Sequence, residues 1–221
     1  MKTSAASTRM GGYSLAIDTS AGTTVAVLSM GTVLAELNYL EPITHSERIG
    51  SAIEKVLNDA GLKPNQIDTV VAGIGPGPFT GLRVGLAAAR YFAIGSGADL
   101  VSVCSLDSIA LDFYQANPTA KNLVVTTDAR RKEVFWASYS GVINGIPQRT
   151  FGPSVNKQED IGNYIDLASH ESTELGVRAG ALGQIAFAQG LSAQGANKDI
   201  TPIYLREPDA VPSKGKKVSG E

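Results

Sequence analysis

Residues 73–92 read Gly73-Ile-Gly-Pro-Gly-Pro-Phe79-Thr-Gly-Leu-Arg83-Val-Gly85-Leu-Ala-Ala-Ala-Arg90-Tyr-Phe92. A glycine–proline turn feeds straight into a helix whose charges between Pro78 and Ile94 are Arg83 and Arg90 alone. Each glycine inside a helix costs roughly 0.8–1 kcal/mol relative to alanine, so something must approach the backbone closely there. One reading is a phosphate cradle at a helix N-terminus. Pro76 and Pro78 weaken it because they offer no N–H, and the stretch is neither a G-x-x-x-x-G-K-[ST] loop nor a G-x-G-x-x-G fingerprint. The other reading follows the spacing. Gly77, Gly81, Gly85 and Ala89 recur every fourth residue and make a flat stripe on which another helix can pack. A helix apolar nearly all round is buried on more than one side, either wholly within its own domain or partly against another chain.

Working outward, 68–74 reads as a strand into this turn, and 100–104 as a strand after the helix. Upstream, Thr44-His45-Ser46-Glu47 is a capping box before Ile49, Ala52, Ile53, Val56, Leu57 and Ala60 at helical spacing, closed by Gly61. Before that, 13–18, 23–30 and 33–39 form three strands of an antiparallel meander with a hairpin at Gly31. Downstream, the pattern predicts a helix over 106–116 and strands at 122–127, 133–139 and 147–151, with Asn144-Gly145 as a hairpin turn. A helix over 157–168, a polar loop over 169–174 and a helix over 181–190 complete the chain. Two successive hairpin-then-helix halves imply a duplicated α/β architecture with mixed sheets. The boundary is expected near 105, giving subdomains 13–105 and 106–206, a disordered leader 1–12 and a disordered tail 207–221.

With 221 residues, 43% of them hydrophobic, and mean hydropathy of +0.02, the chain can build one large domain or two small ones. A net charge of −2 gives no electrostatic footprint for nucleic acid on this chain alone, so any such role would be shared with a partner. The single cysteine, Cys104, excludes an intrachain disulfide, suits a reducing compartment and reads as a small buried strand residue. No apolar run reaches about 18 residues, and the first residues lack the apolar core of a secretory signal. A cytoplasmic protein without a membrane span is the expectation. His45 and His170 are the only histidines, and the residue four after His45 is Ile49, so no helical His pair for a metal exists. No G-x-S-x-G nucleophile elbow is present either.

Taken together, Leu15-Ala-Ile-Asp18-Thr-Ser, Gly75-Pro-Gly-Pro-Phe79-Thr-Gly-Leu-Arg83-Val-Gly85, Thr127-Asp128-Ala-Arg130-Arg-Lys-Glu133-Val-Phe-Trp-Ala and Ile203-Tyr204-Leu205-Arg206 resemble the TsaB (YeaZ) family from about residue 13 to residue 210. The resemblance implies the duplicated fold of actin, sugar kinases and heat-shock chaperone ATPases (ASKHA). It also implies a non-catalytic subunit of the bacterial machinery that places threonylcarbamoyl on the adenosine next to the tRNA anticodon. Its implied partners are the catalytic subunit TsaD and the ATPase TsaE, with tRNA reached only through the complex and a homodimer when the chain is alone. No cofactor is implied for this chain, and any ATP belongs to the assembled complex.

By the same resemblance the partner interface is a four-helix bundle built on 44–60 and 78–94. His45, Ile49, Phe79, Gly81, Arg83, Val84 and Gly85 are its candidate residues, and Gly85→Leu is expected to block association while sparing the fold. Asp18, Thr19 and Thr23 of a first phosphate hairpin, with Asp128 of a second, are a candidate vestigial nucleotide site. Arg130 and Arg131 stand where a working second hairpin would have glycines. Where the catalytic relative is expected to carry two metal-binding histidines, this chain has Ser105 and Ile109. Two rival classes are an active ATP-dependent phosphotransferase or hydrolase using Asp18 and Asp128, and a glycoprotease-like peptidase.

Overall fold

Alternation in the first strand puts Leu15 and Ile17 on one face of a sheet and Ala16 on the other, all three buried. That division runs through the whole molecule and sets its layers. The structure is a computed structural model describing residues 12–39, 45–190 and 200–206, with 45–47 described by backbone alone. Strands β1 (Tyr13–Asp18), β2 (Thr23–Ser29) and β3 (Thr32–Tyr39) form the antiparallel meander, turning at Met30-Gly31 where both residues have positive φ. Helix α1 (His45–Asp59) leads to β4 (Thr69–Gly73), α2 (Phe79–Ser96) to β5 (Asp99–Val103), and α3 (Ser105–Ala116) follows. The first sheet has the order β3-β2-β1-β4-β5, with β4 parallel to β1 and β5 parallel to β4.

The second sheet repeats this plan in shorter form. Strands β6 (Leu123–Asp128), β7 (Glu133–Ile143) and β8 (Ile146–Lys157) are antiparallel, and β9 (Glu171–Thr173) lies parallel to β6, giving the order β8-β7-β6-β9. Helix α4 (Ala179–Ala188) ends it. A meander followed by a parallel strand on its far side is thus made twice, as the duplicated architecture requires.

Helices α1 and α2 cover one face of the first sheet, where Ile49, Val56, Leu86 and Ala89 meet Leu15, Ile17, Val25 and Val70. Its other face, Ala16, Ala26, Leu28 and Val71, shares a single core with α3, α4 and the inner face of the second sheet, Leu123, Val125, Ala137 and Tyr139. Helix α4 therefore packs on the sheet of the first repeat as well as against α3. Gly183 makes this possible, since a Cβ there would stand 2.4 Å from Leu28 Cδ1. The glycines of this segment serve helix–sheet packing.

Two expectations fail in the second half. Residues 157–168 form no α-helix but short 3-10 turns, Gln158–Asn163 and Leu167–Ser169. Gly162 interrupts the segment, Ile161 is its only buried residue in the first turn, and the Asp166 carboxylate accepts the Ala168 N–H in competition with helical bonding. Ile161 instead packs under Trp136 on the outer face of the second sheet. The polar run 169–174 contains β9 rather than loop alone, because an edge strand pairing on one side tolerates exposed Glu171 and Ser172. Cys104 sits one residue past β5, at the head of α3, where burial pushes its thiol up to about 12, with Asp107 adding to the shift. Most of the expected leader, the whole tail and the capping-box side chains lie outside the described residues. No helix among the described residues is long and apolar enough to cross a membrane.

A charged junction ties the two repeats together. Arg178, just before α4, donates to Glu36 of β3 and lies 3.6 Å from Asp112 of α3, while the Gly180 N–H donates to Glu36 at 2.9 Å. Burial pushes the Asp112 carboxyl up to about 6, opposed by Arg178 and reinforced by Glu36. A carboxyl raised above its unfolded value stabilises the fold at low pH and loses that contribution as pH rises through the folded value. Thermal melts of Asp112→Asn should thus gain on the wild type between about pH 4 and about pH 6 and hold that margin at higher pH; a constant difference between about pH 4 and about pH 6 would contradict the assignment.

Candidate functional site

The first strand's Asp18-Thr-Ser motif and the glycine–proline stretch meet where β1 ends, whereas Asp128 stands apart in the second repeat. Asp18, 1% exposed, accepts the Ser20 N–H at 2.7 Å and the Ser20 hydroxyl at 2.6 Å on Oδ1, while the Ser105 hydroxyl donates to Oδ2. Ser105 in turn accepts the Gly75 N–H at 2.9 Å and gives its own N–H to the Gly75 carbonyl at 2.8 Å. Gly73 is bare because a Cβ there would lie 1.8 Å from Asp18 Oδ2. Both carboxylate oxygens of Asp18 are therefore engaged by the protein's own donors. Thr23, at the start of β2, is also buried.

Thr19 makes the decisive contact with α2. Its hydroxyl donates to the Gly81 carbonyl at 2.7 Å and accepts the Gly85 N–H at 3.0 Å. Those are the two groups that close one i to i−4 turn of an α-helix, so the hydroxyl sits at the helix ladder itself. A Cβ on Gly85 would lie 2.2 Å from Thr19 Oγ1. Gly81, Gly85 and Ala89 all face inward. This corrects the reading of Gly81 and Gly85 as a docking stripe: the element that approaches is the first hairpin of this same chain. Gly85→Leu would break the fold before it touched any association. Ile49 is likewise turned inward, packed in the core under α1, and the side chain of His45 lies outside the described residues.

The outward face of α2 carries different residues. Arg83, Ala87, Arg90, Tyr91 and Ile94 are exposed, Tyr91 and Ile94 by 73% and 70%, with Val84 half-buried beside them. Tyr91 and Ile94 were missed in the sequence because the glycine stripe on the opposite face was the stronger signal. At the head of the helix Phe79 lies between two neighbours, the Arg83 guanidinium 3.7 Å from its ring centre and the Tyr204 ring at 4.7 Å. The C-terminal segment that brings Tyr204 there is anchored by the Ile203 N–H to the Ile74 carbonyl at 2.8 Å.

Asp128 occupies in the second repeat the place of Asp18 in the first. It ends β6, and its Oδ1 accepts the Arg130 N–H at 2.7 Å, as Asp18 accepts that of Ser20. Unlike Asp18 it is exposed. No group of three or more His, Cys, Asp or Glu side chains suited to a metal occurs among the described residues. His170 Nδ1 lies 2.7 Å from the Asp166 carbonyl and 3.1 Å from Ser169 Oγ. A carbonyl only accepts, so Nδ1 carries the proton and cannot serve as a base for Ser169.

A family model described as TsaD, tRNA N6-adenosine threonylcarbamoyltransferase, matches residues 42–160. The tRNA threonylcarbamoyladenosine biosynthesis protein TsaB of Escherichia coli is 32% identical over 163 residues, spanning 73% of this chain and 70% of that protein. The chain belongs to the TsaB family. An uncharacterized protein of Mycobacterium tuberculosis is 36% identical over 192 residues, 81% of this chain and 83% of its own length. Among solved structures, YeaZ from Pseudomonas aeruginosa superposes with a TM-score of 0.73 at 23% identity, covering 88% of this chain and 100% of that one. That likeness extends to the fold.

For this TsaB-family chain, Gly85→Ala should cost about 1–3 kcal/mol in urea unfolding through overpacking against Thr19. Thr19→Ala should recover part of that cost in the double variant, because the two positions share one contact. Strict additivity of the two losses would show that the hydroxyl and the bare helix face are not coupled.

Proposed function

We propose that this chain is the non-catalytic partner subunit of tRNA threonylcarbamoyladenosine synthesis, acting in the cytoplasm by binding the TsaD enzyme. The relationship to E. coli TsaB, a biosynthesis protein of that modification by name, carries the reading. The state of Asp18 supports it. In an ATPase of this fold the aspartate at the end of the first strand would face a metal-bound water, whereas here Ser20 and Ser105 occupy both of its oxygens. The chain lends its fold to a partner and needs no cofactor of its own, any ATP being held in the assembled complex.

The surface offered to TsaD is the outward side of α2 around Arg83, Val84, Ala87, Tyr91 and Ile94, next to α1. Exposed Tyr91 and Ile94 on a helix one turn apart form an apolar ridge of the kind that marks an interface. A second copy of the chain covers it when TsaD is absent, and TsaE joins the assembled pair.

Tyr91→Glu should abolish co-purification with TsaD of the same organism while leaving the melting temperature near that of the wild type, since Tyr91 makes no core contact. Stoichiometric co-purification of this variant would refute the surface. Depletion of the chain in cells should lower threonylcarbamoyladenosine in total tRNA, measured by mass spectrometry of nucleosides; unchanged content would refute the function.

A further inference from the structure

The turn joining β6 to β7 has an unusual backbone. Arg130, Arg131 and Lys132 have φ of 60°, 56° and 63°. The left-handed region is unfavourable for any side chain with a Cβ, and turns that require it select glycine or asparagine, as Asn144-Gly145 does at φ 53° and 78° in the next hairpin. Here three consecutive long cations occupy it, and all three are exposed. The turn is nonetheless held firmly. Besides the Asp128 contact, the Ala129 N–H donates to the Glu133 carbonyl at 3.0 Å and the Glu133 N–H to the Arg130 carbonyl at 3.0 Å. Arg206 pairs with the Glu133 carboxylate and reaches the Arg130 carbonyl at 3.4 Å.

That anchor connects the turn to a ring. Two residues before Arg206, Tyr204 is 40% exposed, its ring tilted against that of Phe79 and its hydroxyl 3.5 Å from Arg83 Nε. Residues 204–206 thus link the cationic turn to Arg83 of α2 in a chain whose net charge is −2. Exposed cations on a turn held by hydrogen bonds, anchored to the segment that carries a half-exposed aromatic ring, match a polynucleotide backbone, whose phosphates recur along the strand and whose bases stack on rings.

We propose that the Arg130–Arg131–Lys132 turn is an RNA-phosphate contact, held out by the second repeat to grip the tRNA of the modification complex, with Tyr204 beside it. This rests on the function proposed above and adds a direct role in substrate binding. The equivalent turn of the first repeat, Asp18 to Gly22, carries short side chains, buries Thr19 and Ser20 and is bonded to α2 through Thr19. Backbone strain kept together with charge at only one of two equivalent turns favours a ligand for that turn over a requirement of the fold.

The test uses the chain assembled with TsaD and a fluorescently labelled tRNA, with anisotropy titrations over a series of KCl concentrations. Arg130→Gln, Arg131→Gln and Lys132→Gln combined should weaken binding at least about tenfold at low salt and flatten the log–log salt dependence by roughly 2, given about 0.7–0.9 per phosphate contact. Arg130→Lys with Arg131→Lys should keep the slope. Arg131→Gly should raise the melting temperature while weakening RNA binding, an outcome a purely structural turn would not give. Unchanged affinity and slope for the triple glutamine variant would overturn the proposal. So would loss of TsaD or TsaE association with RNA affinity intact, which would assign the turn to a protein partner. If the wild-type chain does not assemble with TsaD, the function proposed above fails, and the same titration on the chain alone, with the same slope criterion, decides the RNA contact separately.

Discussion

One hydroxyl group fixes the geometry of the first repeat. Thr19 Oγ1 bridges the Gly81 carbonyl and the Gly85 N–H, two groups that would otherwise face only each other along the helix. Such a contact needs a helix with no Cβ at the point of entry and a hairpin that reaches it, and the chain supplies both. The hairpin brings Asp18 with it, next to Ser105 at the head of α3. From there Ser105 holds Gly75 through a reciprocal pair of bonds. The end of β1, the turn before α2 and the start of α3 are therefore one hydrogen-bonded unit. The glycine–proline stretch is held in its geometry by contacts within the chain.

This changes what α2 means for function. A helix buried on its glycine side has only its other side to offer, and that side carries Arg83, Ala87, Arg90, Tyr91 and Ile94. Attachment of the helix to the hairpin fixes that exposed face in place, and a fixed surface lowers the ordering cost of the association proposed above. Asp18, in turn, is committed to the scaffold: taking Ser20 and Ser105 away from it to admit a metal-bound water would leave buried hydroxyls and the Gly75 N–H unsatisfied, at a cost of about 1–3 kcal/mol for each such group.

Much of the fold was legible because the strands are short apolar runs bounded by turn residues. The meander, the order of helices and strands through 116 and the Asn144-Gly145 hairpin follow from apolar spacing and turn residues. Residues 157–168 misled because Ile161, Ile165 and Ala168 fall at helical spacing, yet Gly162 and the local bond from Asp166 hold the segment in 3-10 turns. The short strand β9 carries no apolar pattern, since it touches the sheet on one side only. The candidate site was half legible. The motifs were the right ones, but a stripe of small residues has the same spacing whether its neighbour is a foreign helix or the chain's own threonine, and nothing in Thr19 as a residue type announces a bond to a helix ladder.

The duplication itself explains why the two repeats diverge. In both, an aspartate at the end of the first strand accepts the N–H two residues on. In the first repeat α2 lies directly against that turn, so selection for packing shortens its side chains to serine, threonine, alanine and glycine. In the second repeat the 3-10 turns stand in the place of α1, while α4, the counterpart of α2, packs on α3 and on the first sheet, and the aspartate turn is exposed. Freed from packing, the same turn can hold long side chains, and the contacts from Glu133 and Arg206 keep it rigid without covering it. Packing the counterpart of α2 onto the shared core thus leaves the second aspartate turn at the surface, where long side chains fit.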